Sequence, residues 1–333
     1  MNLIKRTVIA GALSISAFAA QAQSLSFEGA GSASLTGIVP QSIAPYAAQE
    51  GVSLQVVLGQ SLTKSIIKVA AGRLDLAVAP PPAINAMKKG VGPYKNTAEQ
   101  AKKLSGNLRA LFGFSASVMH SIVWADSDIQ DWKDIKDKRV FIGPPAGAAA
   151  GQTAGMLEQA TGGYKAGTDY EGVKIPWGSA MQAFQDGQFD LYVGFYPIGA
   201  QSLNELSLQR PIRILSIGED VLASKAWADY AADQVIGEAT IPPNTYSGQV
   251  NGDQEIHTGT TLMSIVANAK MDDDTAYKVT KAFWENLDTM KQANALMKQI
   301  DASQPFTGVN VPLHPGAVRY YQEKGIEVPE NLL

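Results

Sequence analysis

The chain has 333 residues, 45% of them hydrophobic and 17% charged, with a formal net charge of −4. It contains no cysteine, which excludes disulfides, thiolate-ligated metals, thiol catalysis and a lipidated N-terminal cysteine. Lysines and arginines are scattered without a basic stripe, which argues against a nucleic-acid partner. The three histidines, His120, His257 and His314, are far apart and lack metal-ligand spacing.

Residues 1–22 read as a secretory signal peptide. Lys5 and Arg6 form a positive start, residues 8–20 form a short apolar stretch, and Ala20-Gln21-Ala22 has the small-x-small form of a cleavage site. That run is too short to span a bilayer comfortably. The expectation is a periplasmic protein cut near Ala22, with a remainder long enough for two domains.

A first strand at 25–28 leads into the loop Gly29-Ala30-Gly31-Ser32-Ala33-Ser34, then a helix at 39–50. A β-rich run at 52–58, a helix at 62–71 and a strand at 74–78 follow, the last stopped by Pro80-Pro81-Pro82. Residues 108–124 carry two strand-like runs with a kink at 115–117, where the chain is expected to cross into a second domain. The scheme then repeats. Arg139-Val140-Phe141-Ile142 is a strand, followed by a glycine turn and a small-residue helix at 148–160. Strands at 172–176, 189–195 and 212–217 alternate with helices at 181–185 and 198–208. Residues 260–267 cross back, and the remainder is expected to be mostly helical, with Ala276, Val279, Ala282, Phe283 and Leu287 as a core-facing stripe. Such alternation predicts an α/β fold with parallel sheets covered on both faces.

The turn Gly143-Pro144-Pro145-Ala146-Gly147 runs from a strand into a helix start, which leaves unpaired N–H groups at a positive helix end. Gly147, Ala148 and Ala149 are therefore candidate contacts for an anion, an ordinary strand–helix turn being the alternative. Loop 29–34 half matches the dinucleotide fingerprint, but a serine replaces the last glycine and no acidic residue follows at a strand end. Gly31, Ser32, Ser34 and Thr36 are read instead as donors to a small ligand. Trp177 and Tyr196 lie at carboxyl ends of strands, where open α/β sheets bind ligands; core packing is the alternative for each. Tyr196, before a proline, is expected to present its hydroxyl. Ser117 lies on the presumed crossing strand and His120 just beyond it, either facing the cleft or held as a hydrogen-bonded structural histidine. Asp272-Asp273-Asp274 reads as a helix N-cap cluster rather than a calcium site. With no G-x-S-x-G elbow and no base or nucleophile in sight, no catalytic residue, metal or cofactor is expected.

Several segments together resemble one family. Asp126-Ser127-Asp128-Ile129 followed by Trp132-Lys133-Asp134-Ile135-Lys136-Asp137-Lys138-Arg139-Val140 resembles a segment of periplasmic binding proteins. Gly143-Pro144-Pro145 looks like the GPP loop of the TAXI subgroup of TRAP-transporter solute receptors. Gly72-Arg73-Leu74-Asp75-Leu76-Ala77, Asp186-Gly187-Gln188-Phe189-Asp190 and Ile241-Pro242-Pro243-Asn244-Thr245-Tyr246 are similar to further segments of that subgroup. So are residues 274–283 and the C-terminal His314-Pro315-Gly316-Ala317 with Arg319-Tyr320-Tyr321. The resemblance implies a two-lobed periplasmic binding protein fold whose hinge is two crossing strands. Lobe I would be 24–116 plus 258–333, lobe II 117–257, with hinge residues at 115–118 and 259–262. It further implies a monomer that hands a small organic anion to a TRAP permease. A binding protein of an ABC importer of sulfonate or pyrimidine type, and a ligand-sensing subunit for a receptor kinase, are the alternatives.

Departures from the family pattern bear on the ligand. Ala146-Gly147-Ala148-Ala149 stands where the family has Gly-Ser-Gly-Thr, so two hydroxyls are missing. Thr36-Gly37-Ile38-Val39-Pro40 lacks the family's two tyrosines, and Pro81 in the third contact loop lends no N–H. A site poorer in donors implies a ligand with one anionic end and an apolar or aromatic body, not a dicarboxylate.

Overall fold

In the computed structural model, which describes residues 23–145 and 148–333, β1 (Gln23–Glu28) pairs in parallel with β2 (Val52–Val57) and with β3 (Leu76–Ala79). The signal-peptide reading and Gly147 lie outside the described residues.

Between β1 and β2 runs α1 (Leu35–Gln49), which begins four residues before the expected start. Pro40 has no N–H for the carbonyl of Thr36, yet the helix holds because that oxygen accepts from Ala30 N–H at 3.2 Å. Gly37 permits this closeness, since a Cβ there would sit 2.4 Å from the Gly31 carbonyl oxygen. After α2 (Leu62–Ala70) and β3, the proline run opens a helix, α3 (Pro81–Lys89). Proline is accepted in a first turn, where its missing N–H would have had no partner anyway. A 3-10 turn and α4 (Ala98–Ser105) complete this half.

The kinked segment is one strand, β4 (Leu108–Trp124), and the kink is a β-bulge. β4 lies antiparallel to β10 (Ile256–Asn268), and their register shifts where Ser115 and Ser117 face Leu262 and Thr261. Beyond the bulge the partners change. β4 pairs with β7 (Leu191–Tyr196) and β8 (Ile212–Ile214), and β10 with β9 (Ile236–Ile241). β5 (Arg139–Gly143) lies parallel to β7 and to β6 (Glu171–Lys174). The main path is β2-β1-β3-β10-β4-β7-β5-β6, with β8 and β9 off it. The chain thus crosses twice within one continuous sheet, and that sheet is mixed instead of the expected parallel sheets, because β4 and β10 run antiparallel to their neighbours.

Its helices include α5 (Ala149–Thr161), α6 (Trp177–Gln185), α7 (Gln201–Gln209), α8 (Glu219–Leu222) and α9 (Lys225–Gln234). Trp177 opens α6 instead of ending a strand. After β10 come α10 (Asp273–Trp284), α11 (Leu287–Ala293) and α12 (Pro315–Glu323), and the expected apolar stripe is split between α10 and α11. Asp272 caps α10, accepting from Thr275 N–H at 3.0 Å.

Buried apolar side chains fall into separate groups. One draws on residues 25–116 and 265–332, with Phe112 stacked on Phe283 at 4.1 Å. Two others, on opposite faces of the sheet, draw only on residues 118–256; one centres on Val140, Leu157 and Trp227, the other on Phe141, Phe184 and Tyr192. No helix among the described residues is long and apolar enough to cross a membrane.

Candidate functional site

β7, β5 and β6 lie parallel and side by side, and β7 ends at Tyr196 while α5 and α6 start beyond β5 and β6. α5 starts without a capping side chain and without an acidic residue in its first turn. Among the described residues no side chain caps its leading N–H groups, which can therefore meet solvent or an anion. Ala148, Ala149 and Ala150 are partly exposed. Trp177, 41% exposed, opens α6 with its ring edge-on to Phe141 at 5.4 Å and to Phe195 at 5.8 Å. An exposed indole backed by two phenyl rings can take the apolar body of a ligand, and a positive helix end can take an anionic group.

Tyr196 does not behave as expected. Its hydroxyl lies 2.6 Å from that of Tyr192, and its ring folds back over Gly194, where a Cβ would be 2.4 Å from it. The hydroxyl faces the interior of this half, and burial raises its pKa.

His120 is a structural residue, which corrects its reading as a ligand contact. It is fully buried, with Nδ1 2.9 Å from the Val118 carbonyl and Nε2 2.7 Å from the Tyr246 hydroxyl. A carbonyl can only accept, so Nδ1 carries the proton and Nε2 accepts from Tyr246. The Tyr246 oxygen accepts in turn from Gly199 N–H at 3.1 Å. Burial pushes the imidazole pKa down to about 4, so the ring is neutral near pH 7. The network ties β4, the turn after β7 and the segment between β9 and β10.

In the first half most expected donors are already used. Thr36 lies in the first turn of α1, and its Oγ1 is 2.7 Å from Ser34 Oγ, which donates to the Gly31 carbonyl at 2.8 Å. That relay consumes both hydroxyl protons, so Ser34 and Thr36 brace the loop instead of facing a ligand. Ser32 is exposed and opens, with Ala33, Gln41, Ser42, Asn294 and Leu296, on a cavity of about 560 Å³ outside α1. Gly31 is exposed beside it. Pro81 is buried, its carbonyl accepting from Asn310 Nδ2 at 2.9 Å, and so is no contact loop.

Ser117 belongs to the bulge. Its Oγ is 2.8 Å from Thr261 Oγ1, and its carbonyl accepts from Thr260 and Thr261. These hydroxyls knit β4 to β10 at the crossing and leave Ser117 little to offer a ligand.

A second cavity, of about 460 Å³, lies at the amino end of β5 among Trp124, Asp128, Lys138, Arg139, Asp190 and Arg210. Four of its charges pair with one another, Arg139 with Asp190 at 2.6 Å and Lys138 with Asp128 at 2.5 Å, and Arg210 pairs with Asp126 at 2.7 Å. Neither cavity joins residues of both halves. Among the described residues no group of three or more His, Cys, Asp or Glu is placed to hold a metal.

The sequence reading missed α3, α9 and Asn310, which link the two halves. Their only sequence signals were a proline run and an unremarked Asn, neither of which points across the molecule.

The chain matches the NMT1-like family over residues 37–325. Among solved structures it is similar to the periplasmic aliphatic sulphonate binding protein SsuA from Escherichia coli. That match has 13% identity, covers 93% of this chain and 90% of that one, and has a TM-score of 0.49. It is also similar to a TRAP periplasmic solute binding protein from Xanthobacter autotrophicus Py2 with bound β-D-galacturonate (13% identity, 92% and 88% covered, TM-score 0.45). A third match is a TRAP periplasmic solute binding protein from Rhodobacter sphaeroides (13% identity, 83% and 82% covered, TM-score 0.46).

Proposed function

This chain belongs to the NMT1-like family, and from that premise we propose that it is an extracytoplasmic solute-binding protein that captures a small organic anion and delivers it to a membrane permease. The observation that carries this reading is the double crossing of β4 and β10, which leaves separate cores on either side of a bulged, hydroxyl-laced strand pair. Residues 24–116 with 258–333 would form one lobe and 117–257 the other, closing over the ligand by movement at 115–118 and 259–262. The export signal would be removed near Ala22, and the protein would act as a monomer with a TRAP permease of the TAXI type.

The ligand follows from the chemistry of the β5–β7 edge. One anionic group takes the free N–H groups at the start of α5, where a partly buried charge gains most from the helix dipole. The remainder lies against Trp177 and Phe195. Residues 146–149 carry no hydroxyl, so a second carboxylate buried there would lack those donors, at a cost of roughly 1–3 kcal/mol. A monocarboxylate with an apolar or aromatic body fits best.

The test is a thermal-shift panel on protein refolded from denaturant to strip carried ligand, using benzoate, hexanoate, an alkanesulfonate, succinate and glutamate. A ligand at 100 times its Kd stabilises by about 2.7 kcal/mol, a shift of several degrees. Shifts with benzoate or hexanoate alone support the reading. Shifts with succinate or glutamate alone overturn the apolar-body argument, and a flat panel overturns the ligand class.

A further inference from the structure

Outside the crossing strands, among the described residues, the two halves also meet through polar groups where α3 of the first half lies against α9 of the second. Asp233, near the end of α9, pairs with Lys89 of α3, and its carbonyl accepts from Asn85 Nδ2 at 2.6 Å. Asn85 is held in the orientation this needs. Its Oδ1 accepts from Asn310 Nδ2 at 3.0 Å, which leaves the amide nitrogen turned toward α9. Asn310 is fixed in turn by donating to Pro81 O at 2.9 Å and by accepting from Lys88 Nζ at 2.6 Å.

α9 is well anchored at its other contacts. Trp227 is buried and donates to Glu238 at 3.0 Å, while the Tyr230 hydroxyl donates to the carbonyl of Gln152 on α5. The Tyr230 ring lies where only Gly155 leaves room, since a Cβ at that position would be 2.7 Å from it. Two residues after Asp233, Val235 takes φ +49°, an unusual conformation for a β-branched residue, and turns the chain into β9 beside the crossing. A rigid path therefore runs from the helix whose N-terminus is the candidate anion site, through α9, to the first half.

We propose that α9 is a strut and that the Asn85–Asp233–Lys89 cluster is a latch that sets the angle between the halves. This rests on the reading of the halves as moving lobes, but it makes its own prediction in the absence of any ligand. The Lys89 and Asp233 side chains are about half exposed, so the latch is weak. Weakness suits a device that must yield, since a contact of this size changes the ratio of two conformers roughly three- to fivefold rather than locking one.

The experiment measures the interlobe distance directly. The chain has no cysteine, so Lys64→Cys on α2 and Lys174→Cys at the end of β6, both exposed, carry one spin-label pair across the molecule. Double electron–electron resonance without ligand reads the distance distribution in this parent, in Lys89→Glu, in Asn85→Ala, and in the exchange Lys89→Glu with Asp233→Lys. The expected result is a displaced or broadened distribution in both single variants and return toward the parent in the exchange. Superimposable distributions overturn the latch, and so does a displacement that the exchange fails to reverse. Neither result depends on the thermal-shift panel, so this proposal can fail while the capture reading stands.

Discussion

Acidification should destabilise this protein through His120 by a calculable amount. The ring is buried and neutral, its Nε2 committed as acceptor to Tyr246 and its pKa pushed down to about 4. In the unfolded chain the same ring has its ordinary value near 6.5. Between these values the unfolded state binds the proton and the folded state refuses it, so stability rises with pH across the window. The contribution is fully present above about pH 6.5 and is lost as pH falls toward 4, with a slope of about 1.4 kcal/mol per pH unit. Because the unfolded ring is only half protonated at pH 6.5, the loss from pH 6.5 to 4.5 is about 2 kcal/mol. Urea unfolding at half-unit pH steps measures it, with His120→Gln as reference because its side-chain oxygen can still accept from Tyr246 and does not titrate. Carboxylates and His314, whose pKa burial also lowers, contribute to both proteins and cancel in the difference. The difference between the two stability curves should therefore shrink by about 2 kcal/mol as pH falls from 6.5 to 4.5. Parallel curves would refute the burial argument.

Other substitutions separate bracing from binding. Trp177→Ala should lower affinity for an aromatic monoacid about tenfold while costing under about 1 kcal/mol in urea unfolding, because the indole is largely at the surface. Tyr196→Phe should do the reverse, losing about 1 kcal/mol of stability with its Tyr192 partner and leaving ligand affinity unchanged by calorimetry. Gly37→Ala should cost about 1–3 kcal/mol by denaturant titration, since its methyl would press on the Gly31 carbonyl. Phe112→Ala, which removes the ring stacked on Phe283, should cost about 3–5 kcal/mol in the same assay.

Much of the architecture could be read locally. The long apolar run of β4, the Asp272 cap and the stripe of α10 are patterns of period two or 3.6 that need no distant partner. The start of α5 was legible for the same reason, because a helix start is defined by the residues that make it. Where local signals misled, a neighbour had intervened. The proline run looked like a stop and is a start, since a first turn does not need those N–H groups. Thr36 and Ser34 were expected to face a ligand, but each finds the other two residues away. Tertiary structure alone could decide which way Tyr196 and His120 point. His120 meets Tyr246 across 126 residues of sequence and Asn85 meets Asp233 across 148. A side chain's type says what bonds it can make, and the sequence carries that much. Which partner it meets depends on how strands far apart in the chain are brought together, and only the folded backbone sets those distances.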